Sequence, residues 1–261
     1  MRDKNIVDGL VSIIMPSWNT GKFIIETIQS VINQTYTNWE LLIVDDCSTD
    51  NTEEIIASFK DDRIKYFRNK KNSGAALTRN RALREARGEW IAFLDSDDLW
   101  MSEKLEKQIA FMKKNGYSLS YTEYEKIDED SKSLNIYVSG PEKVNKRQMY
   151  NYDYIGQLTM MYSAKQYGLI QTKDIKKNND YAIRLQLYKK PGTCAYLLRE
   201  NLAKYRVRRV SISHDKFRRK FISHYELFHM CDEKPAAVAL WYACWNMFFG
   251  LLKKKKYEKY F

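Results

Sequence analysis

Trp90-Ile91-Ala92-Phe93-Leu94-Asp95-Ser96-Asp97-Asp98 is the stretch that decides how this chain is read. An apolar run with β-branched and aromatic members predicts a short buried strand, and the acids after it fall at its carboxyl end. In open α/β sheets that edge is where ligands bind. The alternate carboxylates Asp95 and Asp97 can present oxygens to one hard divalent cation, which also accepts phosphate oxygens. An isolated D-x-D is short and common, and such a turn also serves merely to start a following helix, here expected over Leu99 to Lys114.

The residues upstream repeat the same arrangement. Leu10 to Met15 reads as a buried strand ended by Pro16, and Ile24, Thr27, Ile28, Val31 and Ile32 then share one helical face. Trp39 to Val44 predicts a second strand that ends at Asp45-Asp46. Asp50, with Glu53 three residues on, has the form of a capping box for a helix carrying Ile55, Ile56 and Phe59. Ile64 to Phe67 predicts a third strand, and Ala75 to Arg87 a helix closed by Gly88. Regular β-α alternation predicts an α/β fold, with a mostly parallel central sheet flanked by helices. The strand ends at Pro16, Asp45 and Asp95 would then share one rim.

Beyond residue 100 the pattern weakens. Gly116 to Tyr154 is polar and tyrosine-rich, with no clear period. Leu158 to Ser163 and Cys194 to Leu198 read as strands, and Asp174 to Lys189 as a helix. A composition change near Ser213 predicts a boundary between a domain over 1–213 (halves 1–100 and 101–213) and a tail over 214–261.

With 261 residues, 44% of them hydrophobic, the chain can build one sizeable core. The net charge of +11 is uneven: residues 201–261 hold 14 Lys+Arg against 5 Asp+Glu, whereas the first 200 hold 30 against 28. The basicity therefore belongs to the tail, while the rim is acidic. That distribution argues against a nucleic-acid-binding protein, because a bare acidic rim repels phosphates. Cys47, Cys194, Cys231 and Cys244 form no C-x-x-C pair and suit a reducing compartment. The apolar run after Asp3 and Asp8 is too short for a signal peptide, and the longest uncharged stretch, Pro235 to Leu252, falls just short of an expected membrane span.

Five ordered segments resemble the family 2 glycosyltransferases. They are Val11 to Asn19, Ser30 to Tyr36, Val44-Asp45-Asp46-Cys47-Ser48-Thr49-Asp50, Gly74 through Arg79-Asn80, and Leu94 to Asp98. The match is dense over 10–100 and thinner over 155–210, where Asn179-Asp180-Tyr181 and Tyr205-Arg206 fit. The resemblance implies a GT-A fold and inverting transfer from a nucleotide-sugar donor, a UDP-sugar, to a glycan or lipid-linked acceptor in surface polysaccharide assembly. It implies that Pro16 and Asp45 or Asp46 meet the nucleotide, and that Arg79 and Asp95 serve the base, phosphate or ribose side. Asp97 would reach Mg²⁺ or Mn²⁺ at the diphosphate, and Asp180 would be the general base. An aspartate that only braces the turn, or an Asp180 that only caps its helix, are the plainer roles for the same residues.

Three departures matter. Asn179 stands where the family's pair usually has Glu. Arg208 stands where many relatives have His, with His214 the nearest histidine downstream. The Gln-x-x-Arg-Trp sequence of processive members is missing, so one sugar per encounter is expected. Sugar transfer to a polyprenyl phosphate and non-catalytic binding of a nucleotide sugar are the rival readings.

In the tail, Phe217, Phe221, Tyr225 and Phe228 fall on one helical stripe. An uncharged segment with Trp241, Tyr242, Trp245, Phe248 and Phe249 follows, then Lys253 to Lys256. Aromatics flanked by cations predict a helix on an anionic membrane surface, which would make the protein cytoplasmic and peripheral on the inner face. The alternative is a helical hairpin packed back on the domain.

Overall fold

The computed structural model describes residues 6–208 and 217–260, so the expected boundary at Ser213 and the candidate His214 lie outside the described residues. The first half alternates as expected: β1 (Val7–Ser17), α1 (Ile24–Ile32), β2 (Trp39–Asp45), α2 (Thr52–Ser58), β3 (Ile64–Arg68), α3 (Gly74–Glu85) and β4 (Gly88–Phe93). The four strands are parallel, in the order β4-β1-β2-β3. Helices cover both faces of the sheet, which is why the strands read as near-continuous apolar runs. Along β1 the alternation is plain: Val11, Ile13 and Met15 pack on the α1 side, and Ile14 packs toward α3.

Several boundaries differ from expectation for physical reasons. β1 runs through Pro16 to Ser17, because the ladder to β4 has already ended at Ile14↔Phe93 and the missing proline N–H costs no bond there. Gly88 begins β4 instead of closing a helix. A Cβ at that position would lie 2.6 Å from the backbone of both Leu10 and Ser12, so only glycine lets the strands approach. Asp50 is not part of a capping box. Its carboxylate accepts from Thr52 N and Gly21 N at 3.1 and 3.0 Å and ties the start of α2 to the β1–α1 loop, while Glu53 pairs with Arg68.

The second half adds antiparallel strands to the same sheet. β5 (Leu99–Trp100) precedes α4 (Lys104–Asn115), so the expected helix from Leu99 starts at Lys104. The unread tyrosine-rich region becomes β6 (Leu119–Ile127), β7 (Ser133–Val138), β8 (Lys143–Asn145) and α5 (Lys146–Asn151). After a 3-10 turn at Gln157–Thr159 come β9 (Met161–Ser163), α6 (Ala164–Tyr167), α7 (Asn179–Leu187) and β10 (Cys194–Arg206). α7 is shorter than the periodicity predicted, and β10 is longer. β9 joins β4 to β6 antiparallel, and β10 runs parallel to β6 while pairing antiparallel with β5 and β8. The parallel expectation therefore holds for the first four strands, and the added half is mainly antiparallel.

The tail does not hang free. α8 (Phe217–Glu226) passes through a wide turn at Leu227–Cys231 into α9 (Ala236–Tyr257), and β11 (Glu258–Tyr260) pairs antiparallel with β7. Phe228 is buried and Tyr225 half-buried, so the later part of the expected stripe faces the core and not a membrane. One face of α9 is docked through buried Ala239, Ala243 and Asn246. By length and composition, Ala236–Lys253 is long and apolar enough to cross a membrane, which the sequence reading had placed just short. All four cysteines are free thiols.

Candidate active site

The carboxyl ends of β1, β2 and β4 meet at one rim. Ser17 is in register with Asp45, and Asp46 N donates to Ser17 O at 2.8 Å. Asp45 is fully buried and its acceptor positions are filled. It takes Ser48 N at 3.2 Å, the Ser48 hydroxyl and Tyr66 OH at 3.2 Å, with Arg68 Nε 3.8 Å away. Asp46 also braces local structure. Its Oδ1 accepts from Asn69 Nδ2 at 2.7 Å and Ser73 N at 2.8 Å, and its Oδ2 from Gly74 N at 2.7 Å. A carboxylate has about four acceptor positions. Asp46 Oδ2 therefore keeps one open, and Asp45 does not.

The acidic loop after β4 is clamped by a buried arginine. Arg206 N donates to Asp98 Oδ1 at 2.9 Å and Arg206 Nε to Asp97 O at 2.7 Å. Its other nitrogens reach Ser131 Oγ and Glu26 Oε2, both at 2.8 Å. A planar fork with five donors suits such a many-sided clamp. Arg208, in the place of the family's histidine, lies with Nη1 3.2 Å from Asp97 Oδ2. Burial pushes the Asp97 carboxyl up and neighbouring Asp95 adds to it, with Arg208 opposing. Asp98 is pushed further up by burial and by Asp97 and Asp95.

The two halves of the sheet meet at Arg79, on α3. Its Nη2 lies 2.5 Å from Asp95 Oδ1, and its Nη1 donates to Asn179 Oδ1 at the start of α7. Its Nε is buried and has no partner among the described residues. Asp180 follows Asn179 in the first turn of α7, where a carboxylate complements the helix dipole. The helix cap is Asn178, and it makes no side-chain capping bond. Asp180 is thus not the capping residue, and its side chain stays 40% exposed toward the cleft.

Asp180 is held by a residue that the sequence reading missed. Arg184 Nη2 donates to Asp180 Oδ2 at 2.8 Å, while the same guanidinium grips Asp153 through Nε (2.7 Å) and Nη2 and reaches Gln157 through Nη1. Arg184 is only 1% exposed. Burial alone would raise the Asp180 carboxyl, but the positive charges of Arg184 and Arg79 outweigh it and hold it below the usual aspartate range. The available signal was the i,i+4 spacing of Asp180 and Arg184, together with a cation in an otherwise apolar helix. Asp153 had no such signal, since it falls in the stretch without period.

Asp95 and Asp97 are the oxygen donors that fit a divalent cation. Among the described residues no three His, Cys, Asp or Glu side chains converge into a cage. Mg²⁺ is commonly bound by one or two carboxylates plus substrate phosphates, and that smaller set is what the loop offers.

Comparisons with known proteins bear on the family and the fold. Residues 12–206 match the family described as Glycosyl transferase family 2. A protein of Bacillus subtilis (strain 168) named as a teichuronic acid biosynthesis glycosyltransferase, TuaG, is 42% identical over 211 residues, covering 80% of this chain and 83% of that one. The Escherichia coli UDP-Glc:alpha-D-GlcNAc-diphosphoundecaprenol beta-1,3-glucosyltransferase WfgD is 41% identical, over 81% of this chain and 82% of its own. Among solved structures, S. aureus TarS 1-349 in complex with UDP-GlcNAc superposes with a TM-score of 0.69 at 21% identity, covering 88% of this chain and 69% of that chain. Mannosyltransferase PcManGT from Pyrobaculum calidifontis, in complex with GDP-Man and Mn²⁺, gives 0.60 at 15% identity, covering 90% and 72%. The structural likenesses establish the GT-A fold.

Proposed function

The chain belongs to glycosyl transferase family 2, and on that premise we propose that it moves one sugar from a UDP-sugar to a lipid-linked glycan in the assembly of a surface polysaccharide. The observation that carries this reading is the Arg79 bridge, which joins Asp95 on the donor side to Asn179 beside Asp180 on the acceptor side. A donor on the rim and an acceptor against α7 would then meet in one cleft. The named activities of TuaG and WfgD supply the polysaccharide and the lipid-linked acceptor. Working on such an acceptor places the protein at the inner face of the membrane.

Each residue has a role in this proposal. Asp46 Oδ2, with one acceptor position open, takes the N3–H of uracil at the end of β2, while Asp45 holds the turn and Pro16 lines the same rim. Asp95 meets the ribose, and Arg79 offers a planar cation to phosphate oxygens. Mg²⁺ or Mn²⁺, when held by Asp97 and the diphosphate, supplies Lewis-acid neutralisation of charge on the leaving phosphate. Arg206 keeps the Asp95–Asp98 loop in shape for that. Asp180 removes the proton from the acceptor hydroxyl, on the face of the sugar opposite the leaving nucleotide. Arg184 fixes the orientation of that carboxylate and keeps it ionised at neutral pH.

Thermal stabilisation by nucleotide sugars tests the donor. Ligand at 100 times Kd stabilises by about 2.7 kcal/mol, a shift of several degrees for a domain of this size. A UDP-sugar is expected to raise Tm with Mn²⁺ present and much less in EDTA. Failure of every nucleotide sugar to shift Tm would contradict the proposal.

A further inference from the structure

α9 has two unlike faces. Its inner line, Ala239, Ala243, Asn246 and Gly250, packs on the domain so closely that a Cβ on Gly250 would lie 2.9 Å from Tyr152. Asn246 Nδ2 on that line donates to Tyr181 OH at 2.8 Å, the neighbour of Asp180. The outer line holds Trp241, Phe248 and Leu251, which are 60%, 54% and 74% exposed, with Val238, Leu240 and Leu252 exposed beside them. No charged residue occurs between Pro235 and Leu252. A helix face turned to water is normally polar, so this apolar strip lacks its partner.

The charge around the strip says what that partner is. Lys256 is exposed and lies one turn beyond Leu252 on the same line, within the run Lys253 to Lys256. Three acids of this region are tied up. Glu258 pairs with Lys126 at 3.0 Å, Glu233 with Lys173 at 2.7 Å, and Asp232 is buried and accepts from Tyr150 OH at 2.6 Å. A second copy of the chain seated on the strip would bring two runs of four lysines together, whereas an anionic lipid surface complements them. Aromatic and leucine side chains with lysines at the end are also the composition of an interfacial helix. The helix lies along the domain and does not leave it: Ser139 N donates to Tyr257 O at 2.9 Å, and β11 returns to the sheet.

We infer that the outer face of α9 is a docking surface for anionic lipid, and that it holds the α7 side of the domain, with the candidate base, toward the bilayer that carries a lipid-linked acceptor. The placement of the acceptor rests on the function proposed above, and the docking itself does not. Trp245, expected from sequence to insert, is instead half-buried and donates to Asn151 Oδ1 at 3.0 Å, so the inserting groups are Trp241, Phe248, Leu251 and Leu252. Removing the tail altogether would strip cover from buried Tyr150 and Tyr181, which pack on Phe228, so point variants are the sound test.

The experiment is co-sedimentation of the full chain with vesicles of phosphatidylglycerol and phosphatidylcholine, against phosphatidylcholine alone. Wild type is expected to partition onto the anionic vesicles and to keep part of that binding in 1 M salt, where charges are screened beyond about 3 Å. Trp241→Glu combined with Phe248→Glu should lower partitioning at least tenfold with Tm and nucleotide-sugar binding unchanged. Lys254→Gln, Lys255→Gln and Lys256→Gln together should lose about fivefold per lysine, from roughly 1 kcal/mol each, on anionic vesicles only. Wild-type partitioning by the aromatic variant, or no vesicle binding by the parent at low salt, would overturn the inference. So would a stable dimer of the parent that the aromatic variant abolishes. Vesicle binding without any response to nucleotide sugars would leave the docking surface standing and sink the proposed function. Sugar transfer without vesicle binding would do the reverse.

Discussion

Asp97 and Asp180 are two aspartates on either side of the Asp95–Arg79–Asn179 bridge, each beside an arginine, yet they are driven in opposite directions. Arg208 lies 3.2 Å from Asp97 and Arg184 lies 2.8 Å from Asp180. Around Asp97, however, burial pushes the carboxyl up and Asp95 adds like charge. Around Asp180, Arg79 adds a second positive charge and the carboxyl is held down. One partner at hydrogen-bond distance does not fix the state of a carboxylate; the local excess of charge does. The proposed roles follow that contrast: a cation would relieve the first site, and the second would accept a proton.

The largest expected effect breaks the second site. Asp180→Asn keeps the shape and removes the base, so turnover should fall by about 10²–10⁴ while donor binding persists. Turnover within twofold of the parent would remove Asp180 from the proposed role. Because the folded-state value lies below the unfolded one, its ionisation supports folding above the ordinary aspartate range and loses that support as pH falls through the lowered value. Asp180 itself should therefore contribute no acidic limb to kcat above about pH 4.

Arg184→Met sharpens the contrast. It leaves Asp153 buried without its cation, at a cost of about 3–5 kcal/mol, with Tm falling roughly 2–4 °C for each. Adding Asp153→Asn should recover much of the Tm. In that double variant the acidic limb of kcat should move to higher pH, since Asp180 has lost its main opposing charge. Recovery of Tm with no movement of the limb would make Arg184 structural only.

Asp97→Asn acts on the first site. It should cost about 10² in transfer, the scale of one lost electrostatic partner of the transition state. Removing one member of a like-charged cluster should leave Tm unchanged or slightly higher. An undiminished, EDTA-sensitive rate would refute its place in metal binding.

The first half of the fold was legible because its strands are buried on both faces and its rim residues recur in order. Pro16, Asp45, Asp46, Arg79 and Asp95 do gather at that rim. The second half was not, because β6 and β8 are held largely by β9 and β10, whose residues are far away in sequence, and no local period reports such pairings. The same reason hid Asp153 and Gln157, whose importance comes only from Arg184 reaching them. The tail misled in a different way. Its aromatic periodicity is real, but one stripe points into the core and the other outward, and composition cannot tell them apart.

Lys104 lies away from the site and tests the rule with the sign reversed. It is fully buried on α4, with Nζ 2.8 Å from Gln108 Oε1 and 4.1 Å from the Trp100 ring centre. With no carboxylate as partner, burial lowers its pKa to about 7. The unfolded chain then binds more protons between that value and the ordinary lysine range, so stability should rise with pH from about 7 to 10. Lys104→Met should flatten that part of the Tm profile, and an unchanged slope would show that another group is responsible.

The contrast between the two aspartates is tested most directly by one titration. UDP-sugar binding to Asp180→Asn and to Asp97→Asn is followed by calorimetry, each with Mn²⁺ and with EDTA. The expected result is metal-dependent binding to Asp180→Asn at parental affinity, and loss of the metal-dependent part in Asp97→Asn. Metal-dependent binding retained by Asp97→Asn and lost by Asp180→Asn would contradict the assignment of the two sites.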